Sequence, residues 1–244
     1  MATDRAGARS PQQLQNGKSR GASRCRSSRF TPIDISALIS SSPDLILRRK
    51  VREIVNVSGR GVRGHFPSYK GRLLKYESLV EEDTLRIMEI AGLVKRIITQ
   101  PCVLRLDGDD TGFRYTPDAL AAIGDLEYFV EVKAAGFAKN RRTVDHLRHL
   151  IAHVRRKKLP FILITEDDIR ADGLQEELKL LLRSRPAPGR YDPDIDSSNW
   201  DPRNLQAADP ELMQRWRQAQ EVCDALIARV MRRDPDSLLE TLSN

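Results

Sequence analysis

The stretch FRYTPDALAAIGDLEYFVEVKAAG, residues 113–136, decides the fold because it predicts two short strands joined by a turn. The segments FRYTPDALAAI and EYFVEVKAA are apolar enough to be buried, and each has the length of a strand. Gly124 and Asp125 lie between them and are residue types that favour turns. We therefore predict a β-hairpin inside a sheet.

Asp118, Glu131 and Lys133 break into the apolar runs of this hairpin. Alternate side chains of a strand share a face, so Glu131 and Lys133 should point one way while Val130 and Val132 point into the core. Asp118, at the preceding strand, can lie beside them. Mg²⁺ and Mn²⁺ prefer carboxylate oxygens, and a nearby ammonium can hold an attacking water or offset charge on a phosphate. The pattern is therefore compatible with a metal-dependent phosphodiesterase.

A purely structural interpretation of the same residues stays open. An acid and a lysine on one sheet face also form ordinary cross-strand ion pairs. Further polar residues are candidates for the site: Glu77, Glu81, Glu82, Asp83 and Gln100. The four acids belong to a predicted helix, and most acids on a helix only face solvent.

The flanking segments predict an alternation of helices and strands. Apolar spacing predicts a helix over residues 76–91 that ends at Gly92, followed by a strand over residues 94–106 that Pro101 interrupts. A second helix is expected over residues 139–158, with one apolar face made by Val144, Leu147, Leu150, Ile151 and Val154.

A uniformly apolar strand follows over residues 161–165. The order helix, three strands, helix, strand predicts an α/β fold in which helices flank a mixed sheet.

The ends of the chain differ from this middle part. Residues 1–30 carry a net charge of +6 out of +7 for all 244 residues and have few apolar side chains, as is typical of a disordered basic tail. Residues 31–168 are the predicted catalytic domain. Residues 169–244 are predicted to form a small helical C-terminal extension, with a Pro- and Asp-rich arm from Ala187 and a helix over residues 210–233. Trp200 and Trp216 are expected to anchor the arm and that helix.

Composition excludes several classes of protein. The sequence has no apolar run of the roughly 20 residues that a membrane span needs, and no secretory signal, so we expect a soluble, cytoplasmic protein. Cys25, Cys102 and Cys223 lie far apart, which argues against a disulfide framework or a cysteine-built zinc site.

Two basic segments are candidates for DNA contact, although either can equally be ordinary surface. The glycine-rich segment GRGVRGHFPSYKGR, residues 59–72, is predicted to be a loop, and the helix over residues 139–158 has eight Lys or Arg against Asp145. The candidate residues are Arg60, Arg63, Lys70, Arg72, Arg141, Arg142 and Arg148. His146, His149 and His153 have a helical spacing that can bind zinc, but partial burial or DNA contact explains them better.

Several motifs in order resemble those of one family. ESLVEED, then QP nineteen residues after Glu81, then YTPD, EVK, a basic helix and LPFILITEDDI resemble TnsA, the endonuclease subunit of heteromeric cut-and-paste transposases. The resemblance covers roughly residues 60–170, and it implies a restriction-endonuclease-like core of the PD-(D/E)xK superfamily.

The resemblance also implies roles for particular residues. It assigns the helix carboxylate to Glu81, the metal-binding aspartate to Asp118 and the catalytic lysine to Lys133. Glu131 stands where some members have Gln, and the backbone carbonyl of Val132 would bind metal. The implied cofactor is Mg²⁺, for which Mn²⁺ can substitute.

TnsA-type subunits nick the 5′ ends of the element, while an integrase-class transposase cuts and joins the 3′ ends. The implied partners are DNA at transposon ends, that transposase and an AAA+ regulator ATPase, and the implied location is the nucleoid of a bacterium. Two alternatives remain: a stand-alone repair, junction-resolving or restriction nuclease of this fold, and a non-catalytic DNA-binding assembly subunit.

Overall fold

The computed structural model describes residues 45–46, 62–105, 114–170, 173–184 and 209–243. Its strands are β1 (Leu45–Ile46), β2 (Gly64–Ser68), β3 (Arg72–Tyr76), β4 (Val94–Thr99), β5 (Val103–Arg105), β6 (Arg114–Tyr115), β7 (Ala119–Ile123), β8 (Leu126–Lys133) and β9 (Phe161–Thr165). Its helices are α1 (Leu79–Ile90), α2 (Arg141–Arg156), α3 (Glu166–Ile169), α4 (Leu174–Ser184), α5 (Pro210–Arg232) and α6 (Pro235–Ser243), with a 3₁₀ turn at Phe137–Lys139.

A four-stranded sheet with the order β4–β7–β8–β9 lies at the centre. The first three strands are antiparallel neighbours, whereas β8 and β9 are parallel and are connected through α2. The predicted hairpin is present, with Gly124 in its turn at a positive φ of 61° that favours glycine. The chain is thus a mixed α/β protein in which helices flank a mixed sheet, as predicted.

The two faces of this sheet are both buried. Ala121, Val130 and Ile164 belong to one apolar core, which also contains residues of α1, α4 and α5. Leu120 and Phe129 alternate with them and therefore point to the other face. The apolar face predicted for α2 is buried throughout, as its residues Val144, Leu147, Leu150, Ile151 and Val154 show.

Helix α1 starts three residues later than predicted. Tyr76 pairs with Gly64 in a strand, and Ser78 caps the helix instead. The helix ends before Gly92, which does not have a positive φ. A Cβ atom at Gly92 would lie 2.1 Å from Nε2 of Gln220, the end of a flexible side chain of α5.

The prediction of one interrupted strand over residues 94–106 is wrong, because the chain changes sheets at Pro101. β4 is an edge strand of the central sheet, while β5 pairs with β1 and β6 in a separate three-stranded sheet. Gln100 has a positive φ of 48° at this change of direction. Proline cannot donate to a ladder, so the break falls there.

The prediction of a loop over residues 59–72 is also wrong for its described part, because β2 and β3 form an antiparallel hairpin. Phe66 and Leu74 are buried and hold one face of the hairpin on the core. The turn presses against β4: a Cβ atom at Gly71 would lie 2.3 Å from the carbonyl oxygen of Ile97. The glycines that suggested a loop thus permit close packing.

The C-terminal helices belong to the same core as the sheet. Leu178 and Leu181 of α4 are buried there together with Trp216 and Ile227 of α5, and α5 matches the predicted helix to within one residue. The sequence had not indicated α4 and α6. None of the helices in the described ranges is both long and apolar enough to cross a membrane.

Some predictions lie outside the described residues. These are the basic tail over residues 1–30, most of the arm that begins at Ala187, and Cys25, Arg60 and Trp200. Cys102 and Cys223 are buried free thiols.

Candidate active site

The first turn of α1 orients Glu81. The side chain of Ser78 caps the helix by accepting a hydrogen bond from the Glu81 N–H, at 3.2 Å. In return, one oxygen of the Glu81 carboxylate accepts from the Ser78 hydroxyl at 3.0 Å, and the other accepts from the Glu77 N–H at 2.8 Å. This reciprocal capping arrangement fixes the Glu81 carboxylate at the N-terminal end of α1.

Asp118 precedes β7 and is tied to the neighbouring strand. The Val132 N–H donates to Oδ2 of Asp118 at 2.7 Å. The N–H and the carbonyl of a strand residue point to the same side, so the Val132 carbonyl faces Asp118 as well. The backbone of β8 therefore offers both a donor and an acceptor beside this carboxylate.

Glu131 and Lys133 lie on one face of β8, as predicted, and form an ion pair. Glu131 is only 4% exposed, and its other carboxylate oxygen accepts a hydrogen bond from the Tyr115 hydroxyl. The ring of His146 from α2 packs edge-on against Tyr115, with 6.1 Å between centroids. Both oxygens of Glu131 are thus committed within the protein.

The electrostatics of these groups show that they share one environment. Burial raises the pKa of Asp118 to about 6, the charge of Lys133 lowers it in part, and that of Glu81 raises it further. Burial likewise raises the pKa values of Glu81 and Glu131, which Lys133 partly offsets. Burial alone would lower the pKa of Lys133, but the three carboxylates outweigh it and raise that pKa. The four predicted residues therefore converge.

Gln100, which follows β4, lies close to the same residues. Its backbone N–H donates to the Asp118 carbonyl at 3.0 Å, and its side-chain amide donates to the Glu77 carboxylate at 3.1 Å. The positive φ of Gln100 is a strained conformation for a residue other than glycine. The other two acids of the helix serve elsewhere, since Glu82 and Asp83 both pair with Arg86.

The donor set suits a divalent cation by its chemistry. Carboxylate and carbonyl oxygens are the ligands that Mg²⁺ prefers, and buried carboxylates with raised pKa values favour a nearby positive charge. Within the described ranges, no three acidic, histidine or cysteine side chains already stand close enough to form a metal site. Each carboxylate oxygen of Glu81 and Glu131 accepts a hydrogen bond within the protein, which leaves a second lone pair for a ligand bond.

The predicted DNA-binding residues fall in different places. Lys70 is turned inward, because its ammonium donates to the carbonyls of Met88 and Ala91 at the end of α1. Arg63, Arg141 and Arg142 are exposed, whereas Arg148 pairs with Asp145 on its own helix. The side chain of Arg72, like all of Arg60, lies outside the described residues.

The three histidines of α2 do not share one site. His153 is buried, a ring nitrogen of His149 lies 2.7 Å from the Asp145 carbonyl oxygen, and His146 packs on Tyr115. The sequence does not indicate that Tyr115 is a partner of Glu131, although both stand in the stretch over residues 113–136, because only the folded chain brings β6 to β8.

Fold and site together define a mixed α/β protein with an acidic site that contains a lysine, at the ends of the two central strands of its sheet. Comparison with known proteins adds no relative, since neither a protein-family model nor a curated protein matches this chain. Any more specific assignment therefore has to rest on the residues themselves.

Proposed function

We propose that this chain is a Mg²⁺-dependent DNA endonuclease with a restriction-endonuclease-like core, and that it is the subunit of a cut-and-paste transposase that nicks the 5′ ends of the element. One observation carries the chemistry: Glu81, Asp118 and Glu131 converge with Lys133 although α1 and the β7–β8 hairpin supply them separately. The order of motifs that resembles TnsA supports the biological role.

Asp118 and Glu81, with the Val132 carbonyl, would hold the cation, and Glu131 would join them through a lone pair that the Tyr115 and Lys133 hydrogen bonds do not use. When bound, Mg²⁺ or Mn²⁺ offsets the negative charge of the phosphodiester and assists water in its attack. The side chains at the same end of the strands, Lys133 among them, would position the substrate and the water.

Lys133 acts as a donor and not as a base. The neighbouring carboxylates raise its pKa, so Nζ stays protonated at neutral pH. Its N–H groups can hold the attacking water or stabilise charge that grows on a phosphate oxygen, while water forms its bond to phosphorus and one P–O ester bond breaks. Glu131 positions this ammonium through their ion pair.

The remaining parts of the proposal concern partners. Arg141 and Arg142, exposed at the start of α2, would contact the DNA backbone near the site. The integrase-class transposase would cut the 3′ ends, and an AAA+ regulator ATPase would contact the C-terminal extension. Dependence on that transposase would restrain a nuclease that otherwise damages its host.

Strand-specific mapping of breaks tests this function. A supercoiled plasmid that carries the element's ends is incubated with Mg²⁺, the partner transposase and either the wild-type chain or Asp118→Ala. Loss of the 5′-end breaks alone supports the proposal. Cleavage of DNA without transposon ends by the chain alone favours a stand-alone nuclease, and 5′ breaks that persist with Asp118→Ala favour a non-catalytic subunit.

A further inference from the structure

The β2–β3 hairpin has two unlike faces. Phe66, Ser68 and Leu74 are buried against the core. His65 and Lys75 are direct partners in the ladder, so they share the opposite, exposed face. Arg63 precedes His65 by two residues, is also exposed, and follows the same alternation. The outer face of the hairpin therefore presents Arg63, His65 and Lys75 beside the exposed ladder pair Pro67 and Leu73, and we call the three nitrogen-bearing residues the basic face.

Lys75 connects this basic face to the candidate active site. It lines the same cavity as Glu81, Asp118 and Val132. Its backbone N–H donates to the Thr99 hydroxyl oxygen at 3.1 Å, which fixes the strand beside β4. Across the described part of the chain, the Lys75 ammonium forms no ion pair, although Lys75 lines a cavity together with Glu81 and Asp118.

The other lysine of the hairpin, Lys70, has a structural role. The Lys70 ammonium donates to two carbonyl oxygens at the end of α1, that of Met88 at 2.9 Å and that of Ala91. The Lys75 ammonium has no comparable hydrogen bonds among the described residues, so its charge is available to a ligand. The hairpin can present that charge at a defined position, because Ile97 N–H donates to the Lys70 carbonyl at 3.0 Å and Gly71 lets the turn pack closely on β4.

We propose that the basic face binds the backbone of double-stranded DNA, with Lys75 on a phosphate next to the one held at the carboxylates. This inference rests on the proposed function, because it assigns the surface along which the cleaved DNA continues. A polyanion fits the charge of this face, and a two-stranded ribbon is one of the elements that the major groove admits. DNA is favoured over an acidic protein because Lys75 of this face lines a cavity together with Glu81 and Asp118, two of the carboxylates proposed above to act on a phosphodiester.

Salt-dependent binding tests the inference without cleavage. The full chain is titrated in chelator with a mixed-sequence duplex between about 50 and 200 mM salt, since each phosphate contact contributes about 0.9 to the slope of log K against log salt. We expect Lys75→Ala to weaken binding several-fold and to reduce the slope by about one such unit. Lys95→Ala removes an equal charge at the far end of β4, where Lys95 only approaches exposed Asp125, and should leave the slope unchanged.

Three results would overturn the inference: a slope for Lys75→Ala equal to that of the wild type, equal losses for both lysine variants, or a wild-type chain that binds no duplex at low salt. Break mapping on plasmid then separates the two proposals. Asp118-dependent 5′ breaks that Lys75→Ala leaves undiminished would keep the nuclease and remove only this surface. Unfolding in urea checks that both variants keep the wild-type fold.

Discussion

The backbone N–H of Val132 donates a 2.7 Å hydrogen bond to Oδ2 of Asp118. This bond ties the acid that precedes β7 to the strand that carries Glu131 and Lys133. Main-chain geometry therefore orients this carboxylate, and it leaves Oδ1 of Asp118 without a hydrogen bond to any described residue. That arrangement suits a ligand oxygen more than a structural ion pair.

Asp118→Asn should stabilise the metal-free protein at alkaline pH. Burial raises the pKa of Asp118 from 3.8 to about 6. Its contribution to stability is therefore largest below the unfolded pKa and is lost as pH rises through about 6. Asparagine stays neutral and can still accept from Val132. We expect the variant to gain up to ~3 kcal/mol of unfolding free energy at pH 8, and almost nothing at pH 4, in urea titrations with chelator. A gain that is equal at both pH values would contradict this.

Tyr115→Phe should impair cleavage while the fold is kept. The ring that packs on His146 remains, but the buried Glu131 carboxylate loses a charge-assisted hydrogen bond, which costs about 1–3 kcal/mol. Partners of this kind change metal affinity or activity by about 10–100-fold. Tyr128→Phe is a matched control on β8, at a position packed against the core. Nicking rates that fall equally for both variants would argue against a positioning role for Tyr115.

Arg233→Met should destabilise the protein through Asp168. Arg233 donates to both oxygens of Asp168, at 2.8 and 2.7 Å, and to the Leu163 carbonyl at 2.6 Å, so it joins the end of α5 to α3 and β9. Removing it leaves a buried carboxylate poorly paired, and we expect a loss of about 2–4 kcal/mol in urea unfolding. Arg232→Ala, an exposed neighbour, is the control.

The same pair predicts a pH dependence. Burial alone would raise the pKa of Asp168, but the hydrogen bonds from Arg233 and Thr165 outweigh it and lower that pKa. The pair's contribution is therefore present above the usual aspartate pKa and is lost as pH falls through the lowered value. The difference between wild type and Arg233→Met should shrink in strong acid, and a difference that grows there would contradict the assignment.

Two glycine substitutions should differ in cost because their neighbours differ in freedom. A Cβ atom at Gly71 would lie 2.3 Å from a backbone carbonyl, that of Ile97, which cannot move without shifting β4. A Cβ atom at Gly92 meets the end of the flexible Gln220 side chain. We expect Gly71→Ala to cost about 1–3 kcal/mol, as overpacking does, and Gly92→Ala less than about 1 kcal/mol. Equal losses in thermal unfolding would refute the distinction.

The central hairpin and α2 could be predicted because their patterns are local. Apolar runs on either side of Gly124 define β7 and β8, and spacing alone defines the buried face of α2. The alternation of side chains in β8 also placed Glu131 and Lys133 on one face, next to Asp118.

The incorrect predictions depend on contacts between residues that are far apart in the sequence, which no local pattern shows. In the β2–β3 hairpin the buried side chains include Ser68, whose hydroxyl donates to Glu89 on α1 at 2.5 Å, so its strand lacks the alternation of apolar residues. Lys70 looked like a DNA ligand until its carbonyl partners at the end of α1 were known. Tyr115 meets Glu131 only after β6 has folded onto the sheet.

Binding of Mn²⁺ tests the central claim that these acids form a divalent metal site for cleavage. Calorimetric titration near pH 7.5, where Asp118 is ionised, is run on the wild type, on Asp118→Asn and on Asp236→Asn, a control in α6 that lies outside the site. We predict that Asp118→Asn loses the binding, together with Mn²⁺-dependent nicking of plasmid in the presence of the partner transposase, while Asp236→Asn keeps both. Binding and nicking that are unchanged in Asp118→Asn would contradict the account.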